Sequence, residues 1–419
     1  MAQGRSRFLN SAVALAALPV AGCRSSSVDT AALKANADPV LIRAVASGHT
    51  AGVAAAVITR DETLYTAAQG ARTLGASAAM DLDTVMLIAS MTKPITSAAA
   101  MQMVEQGKLS LDGPAAAVIP ELGVLKVLEG WDTNGAPQLR DAEGQLTLRH
   151  LLTHTSGFTY EIWNADLERF YRTQNTPGIL TGQKAALRVP LCFDPGARWE
   201  YGIGIDWVGQ LVEAASGLRL GDYFQRNITG PLGMDSTAFK ISTTMRTRLA
   251  GMHLRGDDGK LSVIDLGTVK DPEFESGGAG LYSTANDYLK FMRMILNAGR
   301  GNGNQILKPE TVALMSRNAM GALSVSKLPT QNPFFSRDVE FFPGVPKTWG
   351  LGFMINESAA PTGRSAGSLA WAGLANTYFW IDPTLNIAGL AMMQSLPSVD
   401  PKTVDVFYGF EESVYGSLS

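Results

Sequence analysis

The chain has 419 residues, of which 46% are hydrophobic and 17% charged, a balance typical of a globular protein with a sizeable core. Its formal net charge is −3 and it has no long basic run, which argues against nucleic acid as a partner because phosphate binding needs clustered Lys and Arg. The two cysteines, Cys23 and Cys192, are too few for a disulfide framework or a thiolate metal cluster.

The first residues have the features of an export signal. Basic residues precede the mostly apolar stretch 8–20, which is too short to span a bilayer comfortably. The sequence Val20–Cys23 resembles the lipobox of bacterial lipoproteins, in which the cysteine is lipidated. We therefore expect a signal over 1–23, a small polar tether over 24–38, and a periplasmic protein or one held at a membrane through Cys23. The alternative is an uncleaved tail on a cytoplasmic enzyme.

The next elements follow from hydrophobic patterning. Apolar, β-compatible runs at 51–58 and 64–69 predict a hairpin. An Ala- and Met-rich stretch at 95–106, closed by Gly107, predicts a helix. Residues 129–145 are polar and rich in turn formers, which predicts a surface loop. Helical patterns dominate 147–240, including a helix at 206–215, and another helix is expected at 285–297.

Strands return near the C-terminus. They are expected at 369–372, 377–382 and 387–394, followed by a closing helix at 403–415. Strands at both ends with helices between them predict one sheet assembled from the two ends of the chain. We expect an α/β domain made of 39–95 and 241–419, and a mainly helical domain over 96–240.

A serine and a lysine stand three residues apart where the Ala-rich helix opens. On a helix, Ser90 and Lys93 would share one face, and a neutral lysine amine could accept the serine proton. The amide of Ser90 at the helix start would be free to stabilise an oxyanion. The spacing alone is weak, because an N-cap serine followed by an exposed lysine gives the same pattern.

Several ordered motifs make the pair more specific. Ser90–Lys93, Leu151–Gly157, Pro195-Gly196 followed by Tyr201, Pro231–Met234 and Gly277–Thr284 resemble the serine β-lactamase and penicillin-binding protein superfamily. The resemblance covers roughly residues 40–400 and is greatest to the class C β-lactamases and the family VIII carboxylesterases. It implies an α+β, β-lactamase/transpeptidase-like fold, an antiparallel sheet flanked by helices plus a mainly helical domain.

The resemblance also implies roles for individual residues. Tyr201 would help remove the serine proton and protonate the leaving group, although a core tyrosine would occupy the same position in the sequence. The backbone N–H of Leu374 would be the second oxyanion donor beside that of Ser90. Gly373 would let the substrate approach the strand closely. Trp371 would form an apolar wall that offers one indole N–H.

Two departures from the β-lactamase pattern favour esters. Ile203 stands where the Y-x-N motif has its asparagine, and isoleucine cannot donate the hydrogen bond of an amide. Trp371-Ala372-Gly373 stands in place of the K-T-G motif, so Trp371 replaces the lysine and offers no charge to pair with an antibiotic carboxylate. We expect a serine carboxylesterase that hydrolyses short-chain esters through an acyl-enzyme on Ser90, without metal or cofactor. A β-lactamase or a D-amino peptidase with the same residues is the alternative, and the sequence gives no oligomeric state.

Three other motifs compete with this site. Gly363–Gly367 fits G-x-S-x-G with Ser365 as a nucleophile, but no histidine follows to complete that triad. His150 and His154 have a zinc-like spacing without an acidic third ligand, so structural histidines are favoured. Gly277–Gly280 lacks the Lys and Ser/Thr of a phosphate loop, and a tight turn beside the site is the simpler interpretation.

Overall fold

The computed structural model describes residues 28–267 and 271–418. The expected signal over 1–23, including Cys23, and the first residues of the expected tether lie outside this part of the chain. The helices are α1 Thr30–Ala46, α2 Thr92–Glu105, α3 Leu148–Leu152, α4 Ala165–Gln174, α5 Gly204–Ser216, α6 Leu220–Phe224, α7 Gly230–Leu232, α8 Thr243–Arg246, α9 Ala285–Leu296, α10 Pro309–Met315 and α11 Pro401–Tyr415.

Sixteen short and long strands are described. They are β1 Gly52–Ile58, β2 Thr63–Gly70, β3 Met86–Leu87, β4 Lys126–Trp131, β5 Pro137–Asp141, β6 Met252–Arg255, β7 Leu261–Ile264, β8 Tyr282–Ser283, β9 Arg300–Gly301, β10 Asn304–Gln305, β11 Lys347–Trp349, β12 Met354–Asn356, β13 Leu369–Gly373, β14 Thr377–Asp382, β15 Ile387–Met392 and β16 Ser395–Leu396.

The main sheet has seven antiparallel strands in the order β11-β12-β13-β14-β15-β1-β2. The N-terminal hairpin β1-β2 therefore joins strands from the C-terminal quarter of the chain, as the sequence predicted. Every residue of β1, β13, β14 and β15 is buried, which requires cover on both faces of the sheet. Helices α1 and α11, which pack together, and α9 contact these strands.

The prediction of a tether is wrong from Thr30 onwards, because α1 occupies Thr30–Ala46. The side chain of Asp29 caps the helix by accepting hydrogen bonds from the N–H groups of Ala31 and Ala32. Four buried residues, spaced three or four apart, form the apolar stripe of the helix: Leu33, Ala37, Leu41 and Ala44. The many small residues in this segment suggested a linker, but its buried residues recur with the period of a helix.

The prediction of a loop over 129–145 is also wrong, because β4 and β5 pair there as a hairpin. The turn formers cluster between the strands, where the Asp132 carboxylate accepts hydrogen bonds from the N–H groups of Asn134 and Ala136. All but two residues of these strands are at least partly exposed, so their composition is polar although their backbone is extended. The segment 96–240 is consequently not purely helical. None of the described helices combines the length and the apolar character needed to cross a membrane.

Candidate active site

Ser90 lies in a 3₁₀ turn, Ala89–Met91, that runs directly into α2. Ala89 has a φ of +43°, a region that non-glycine residues rarely adopt, so the backbone is strained immediately before the serine. Helix α2 itself is buried from Thr92 to Met103, which fixes the turn against the core. The helix begins at Thr92, slightly earlier than its predicted start.

Lys93 is completely buried and faces three oxygen atoms. Its Nζ lies 3.2 Å from Ser90 Oγ, 3.1 Å from the Tyr160 hydroxyl and 2.8 Å from the carbonyl oxygen of Gly278. Burial lowers the pKa of Lys93 to about 7, while the charge of Asp206 acts in the opposite direction. A substantial fraction of the amine is therefore neutral near pH 7, and it lies within reach of the Ser90 proton.

The ring of Tyr201 packs beside the amine of Lys93. The Lys93 Nζ lies 4.6 Å from the centre of the Tyr201 ring, and Trp371 Nε1 donates a 3.0 Å hydrogen bond to the Tyr201 hydroxyl. Burial raises the pKa of Tyr201, although hydrogen bonds with Ser90 and Trp371 oppose the shift. Tyr201 is therefore a neutral phenol near pH 7, which suits it to give a proton to a leaving group.

Aromatic side chains enclose Tyr201. Its ring centre lies between 4.6 and 6.3 Å from those of five neighbours: His154, Tyr160, Trp163, Trp349 and Trp371. Such a shell excludes water and lowers the local dielectric constant, so the hydrogen bonds inside it are stronger than in solvent.

The end of β13 brings Gly373 and Leu374 to the same cleft as Ser90, Tyr201 and Trp371. Within residues 28–267 and 271–418, the N–H groups of Ser90 and Leu374 make no hydrogen bond to another protein group. Both are therefore available to a ligand oxygen, the arrangement that an oxyanion hole requires.

The structure explains the need for glycine at position 373 differently from the sequence analysis. A Cβ at this position would overlap the Ile88 carbonyl oxygen and the Thr377 hydroxyl. The glycine thus lets β13 lie against the backbone that precedes Ser90, which brings Leu374 towards the serine. Any closer approach of substrate would be a secondary benefit.

The remaining cleft wall is mostly apolar. Besides Ser90, Tyr201, Trp371, Gly373 and Leu374, the cleft is lined by Trp163, Leu328, Val339, Phe341, Ala372, Ser398 and Val399. No charged side chain belongs to this lining in the part of the chain that the structure describes. Ile203 is buried in the core and is not part of the lining either. This part of the cleft favours neutral substrates, whereas the adjoining pocket beyond Trp371 includes Lys327, Glu340 and Lys347.

The competing motifs lie in other environments. Ser365 occupies a turn between β12 and β13, its N–H donates to the Asp382 carboxylate, and a strand follows it where a nucleophile elbow needs a helix. Ser365 also does not line the cleft that contains Ser90.

The two histidines serve different local structures. His150 Nδ1 accepts the N–H of Thr147 in a capping box, and His154 Nδ1 accepts the N–H of Gly202. Within the described residues, no group of three or more His, Cys, Asp or Glu side chains could hold a metal ion. The glycine turn, in contrast, borders the site as expected, because the carbonyl of Gly278 contacts Lys93.

Two residues near Lys93 were missed by the sequence analysis. Tyr160 follows the Leu151–Gly157 motif closely, but nothing in its spacing distinguishes it from a core tyrosine. Asp206 could have been noticed in the sequence, because it is an acidic residue in the otherwise apolar first turn of α5. In the structure it is completely buried, which is rare for an acidic residue.

Comparison with known proteins identifies the family and the fold. The sequence profile of the β-lactamase family matches residues 37–411, so the chain belongs to the β-lactamase family. Its fold is β-lactamase/transpeptidase-like, as the sequence predicted. The solved structure of unliganded simvastatin synthase from Aspergillus terreus superimposes with a TM-score of 0.80 at 32% identity, over 93% of this chain and 99% of that one.

Curated relatives include proteins with two different activities. Monacolin J acid methylbutanoyltransferase from Aspergillus terreus is 33% identical over 93% of this chain and 98% of its own length. Lovastatin esterase from Penicillium rubens is 30% identical over 85% of this chain and 92% of its own length. The protein is thus an enzyme of the serine β-lactamase superfamily whose relatives include acyltransferases and esterases.

Proposed function

We propose that the protein is a serine carboxylesterase, of the kind found in family VIII, that cleaves short-chain carboxylic esters through an acyl-enzyme on Ser90. One observation carries the proposal: a fully buried lysine amine lies 3.2 Å from the Ser90 hydroxyl in an apolar cleft. Burial lowers the pKa of Lys93 to about 7, so a substantial fraction of the amine is neutral near pH 7 and its lone pair can accept the serine proton.

The first half of the reaction forms the acyl-enzyme. Ser90 Oγ attacks the ester carbonyl carbon as its proton moves to Lys93 Nζ, and the carbonyl oxygen becomes negative between the N–H groups of Ser90 and Leu374. When the intermediate collapses, the Tyr201 hydroxyl gives its proton to the departing alkoxide and recovers one from the Lys93 ammonium. An alcohol leaves, and the acyl group stays on Ser90.

The second half repeats the steps with a new nucleophile. Water gives a proton to Lys93 as its oxygen attacks the acyl carbon, and when this intermediate collapses the Lys93 ammonium returns a proton to Ser90 Oγ as the carboxylic acid leaves. The absence of charged side chains from the described cleft lining favours this neutral ester over a β-lactam or a peptide carboxylate. A β-lactamase or D-amino peptidase activity remains the alternative for the same Ser90, Lys93 and Tyr201.

Transfer of the acyl group to an alcohol is a second candidate. The cleft combines Trp163, Phe341 and Trp371 with apolar residues, a surface on which an organic alcohol competes well with water. The name of one relative describes a methylbutanoyl transfer and that of another an esterase, so both outcomes occur on related chains.

Steady-state kinetics with p-nitrophenyl butyrate and nitrocefin tests the proposal. We expect a larger kcat/KM for the ester, its abolition in Ser90→Ala, and unchanged activity in the matched control Ser365→Ala. Faster turnover of nitrocefin would overturn the esterase assignment. Addition of an organic alcohol distinguishes the two candidates, because transfer yields a new ester in place of butyrate.

A further inference from the structure

Asp206 has no part in the steps above, yet its charge is close enough to Lys93 for each group to shift the pKa of the other. It belongs to the first turn of α5, five residues after Tyr201, and its side chain is completely buried. Its Oδ1 accepts hydrogen bonds from Ser276 Oγ over 2.6 Å and from the N–H of Gly278 over 3.0 Å. Its Oδ2 is buried and has no hydrogen-bond partner among the described residues.

Gly278 connects this carboxylate to the catalytic lysine. The N–H of Gly278 donates to Asp206, and the carbonyl of the same residue accepts from Lys93 Nζ over 2.8 Å. A Cβ at Gly278 would overlap the Asp206 carboxylate, so only glycine permits this close packing. Asp206 therefore holds in place the residue whose carbonyl faces Lys93.

The carbonyl of Gly278 differs from the other two oxygens around Lys93 because it can only accept. The Ser90 and Tyr160 hydroxyls can reverse their roles, whereas the carbonyl takes one N–H of Lys93 in either protonation state. A neutral amine has two N–H groups and one lone pair. When the Gly278 carbonyl and the Tyr160 oxygen accept the two N–H groups, the lone pair is left facing Ser90 Oγ.

We propose that Asp206 is a positioning residue for Lys93: through Gly278 it directs the amine lone pair at Ser90, and its negative charge stabilises the ammonium that forms when Ser90 attacks. This inference rests on the proposed role of Lys93 as the base. No proton leaves or reaches Asp206 in this account. The residue acts by hydrogen bonds and by charge alone.

The other titratable groups that face Lys93 do not supply this charge. Burial raises the pKa of both Tyr160 and Tyr201 and lowers the pKa of His154 well below its usual value, with the Lys93 charge adding to the effect on His154. All three are therefore neutral near pH 7. Burial also raises the pKa of Asp206 above its usual value, and Lys93, Ser276 and the N–H of Gly278, which favour the carboxylate, offset this shift only in part.

Asp206→Asn tests the inference, because asparagine keeps the shape and an oxygen acceptor but removes the charge. Loss of a nearby negative charge lowers the pKa of Lys93, so the acidic limb of the kcat/KM profile should move to lower pH by about one unit or more. The rate should be followed with p-nitrophenyl butyrate at the isosbestic wavelength of p-nitrophenol. An acidic limb at the wild-type pH would overturn the proposal.

Two further variants keep the test decisive. Asp382→Asn is the matched control, since Asp382 is equally buried and hydrogen bonded but lies at the far end of β14 from the cleft, and its profile should not move. Ser276→Ala removes one donor to Asp206 from a partly exposed position and should shift the limb in the same direction by less. If Asp206→Asn does not fold, an unshifted Ser276→Ala profile refutes the proposal.

These outcomes are distinct from a failure of the proposed function. If Lys93 were not the base, the wild-type enzyme would lack an acidic limb that depends on Lys93, and Lys93→Arg would retain activity. If only the inference on Asp206 were wrong, the wild-type limb would be present and Lys93→Arg inactive, while Asp206→Asn would titrate as the wild type does.

Discussion

The indole N–H of Trp371 donates a 3.0 Å hydrogen bond to the hydroxyl oxygen of Tyr201, and both side chains are buried. This contact occupies an acceptor position on the phenol oxygen and leaves the Tyr201 proton free to move towards Ser90 or a leaving group. Trp371 therefore does more than form an apolar wall. It stands where the lactamase pattern has its lysine and contacts the proposed proton donor directly.

Trp371→Phe should lower kcat for ester hydrolysis by about 3- to 10-fold, because one hydrogen bond of roughly 0.5–1.5 kcal/mol is lost. The matched control is Trp349→Phe. Trp349 packs in the same aromatic cluster, but its Nε1 has no partner among the described residues, so no hydrogen bond disappears. Equal losses of kcat in the two variants would show that packing, not the hydrogen bond, matters.

Tyr201→Phe should reduce kcat/KM by about 100- to 10,000-fold for alkyl esters, the usual contribution of a positioned general acid. The loss should be much smaller for p-nitrophenyl esters, because p-nitrophenolate needs no proton to leave. Comparing ethyl butyrate with p-nitrophenyl butyrate measures the difference. An equal loss on both substrates would contradict the role of Tyr201 as proton donor.

Lys93→Arg should lower kcat by about 1,000-fold or more, since a guanidinium cannot act as a base at ordinary pH and catalytic units of this kind fail when one member is removed. Lys290→Arg on α9 is the control. Lys290 forms an ion pair with Asp287 and is partly exposed, so kcat should stay at the wild-type value. Substantial activity in Lys93→Arg would exclude Lys93 from the mechanism.

The rate should depend on pH through the lysine. Because burial lowers the pKa of Lys93 to about 7, the neutral and active form predominates above this pH, and kcat/KM should fall about tenfold per unit below it. The observed midpoint belongs to the coupled group of Lys93, Tyr201 and Asp206. A profile that is flat between pH 5 and 8 would contradict the assignment of the base.

The main sheet was predictable because its strands carry strong local signals. Residues 369–373, 377–382 and 387–392 are mostly apolar runs bounded by turns, and the structure places all three side by side. The predictions failed where the amino-acid composition of a segment obscured the spacing of its buried residues. Small residues in α1 and polar residues in β4 and β5 each suggested a loop, although their backbones are regular.

The candidate site was predictable to the extent that its residues sit in motifs. Ser90, Lys93, Tyr201, Trp371, Gly373 and Leu374 meet at one cleft or directly behind it. Tyr160 and Asp206 were not predictable, because a contact with Lys93 depends on how separate segments pack. The link from Asp206 to Lys93 also passes through the backbone of Gly278, which no side-chain pattern records.

The most direct measurement is identification of the residue that becomes covalently modified. The protein should be treated with diethyl p-nitrophenyl phosphate, digested, and mapped by mass spectrometry, with Ser90→Ala and Lys93→Arg treated in parallel. We predict a single diethyl phosphate adduct on the peptide that contains Ser90, formed faster as the pH rises through about 7 and nearly absent from both variants. An adduct on Ser365, or equal labelling of Ser90→Ala, would contradict the account.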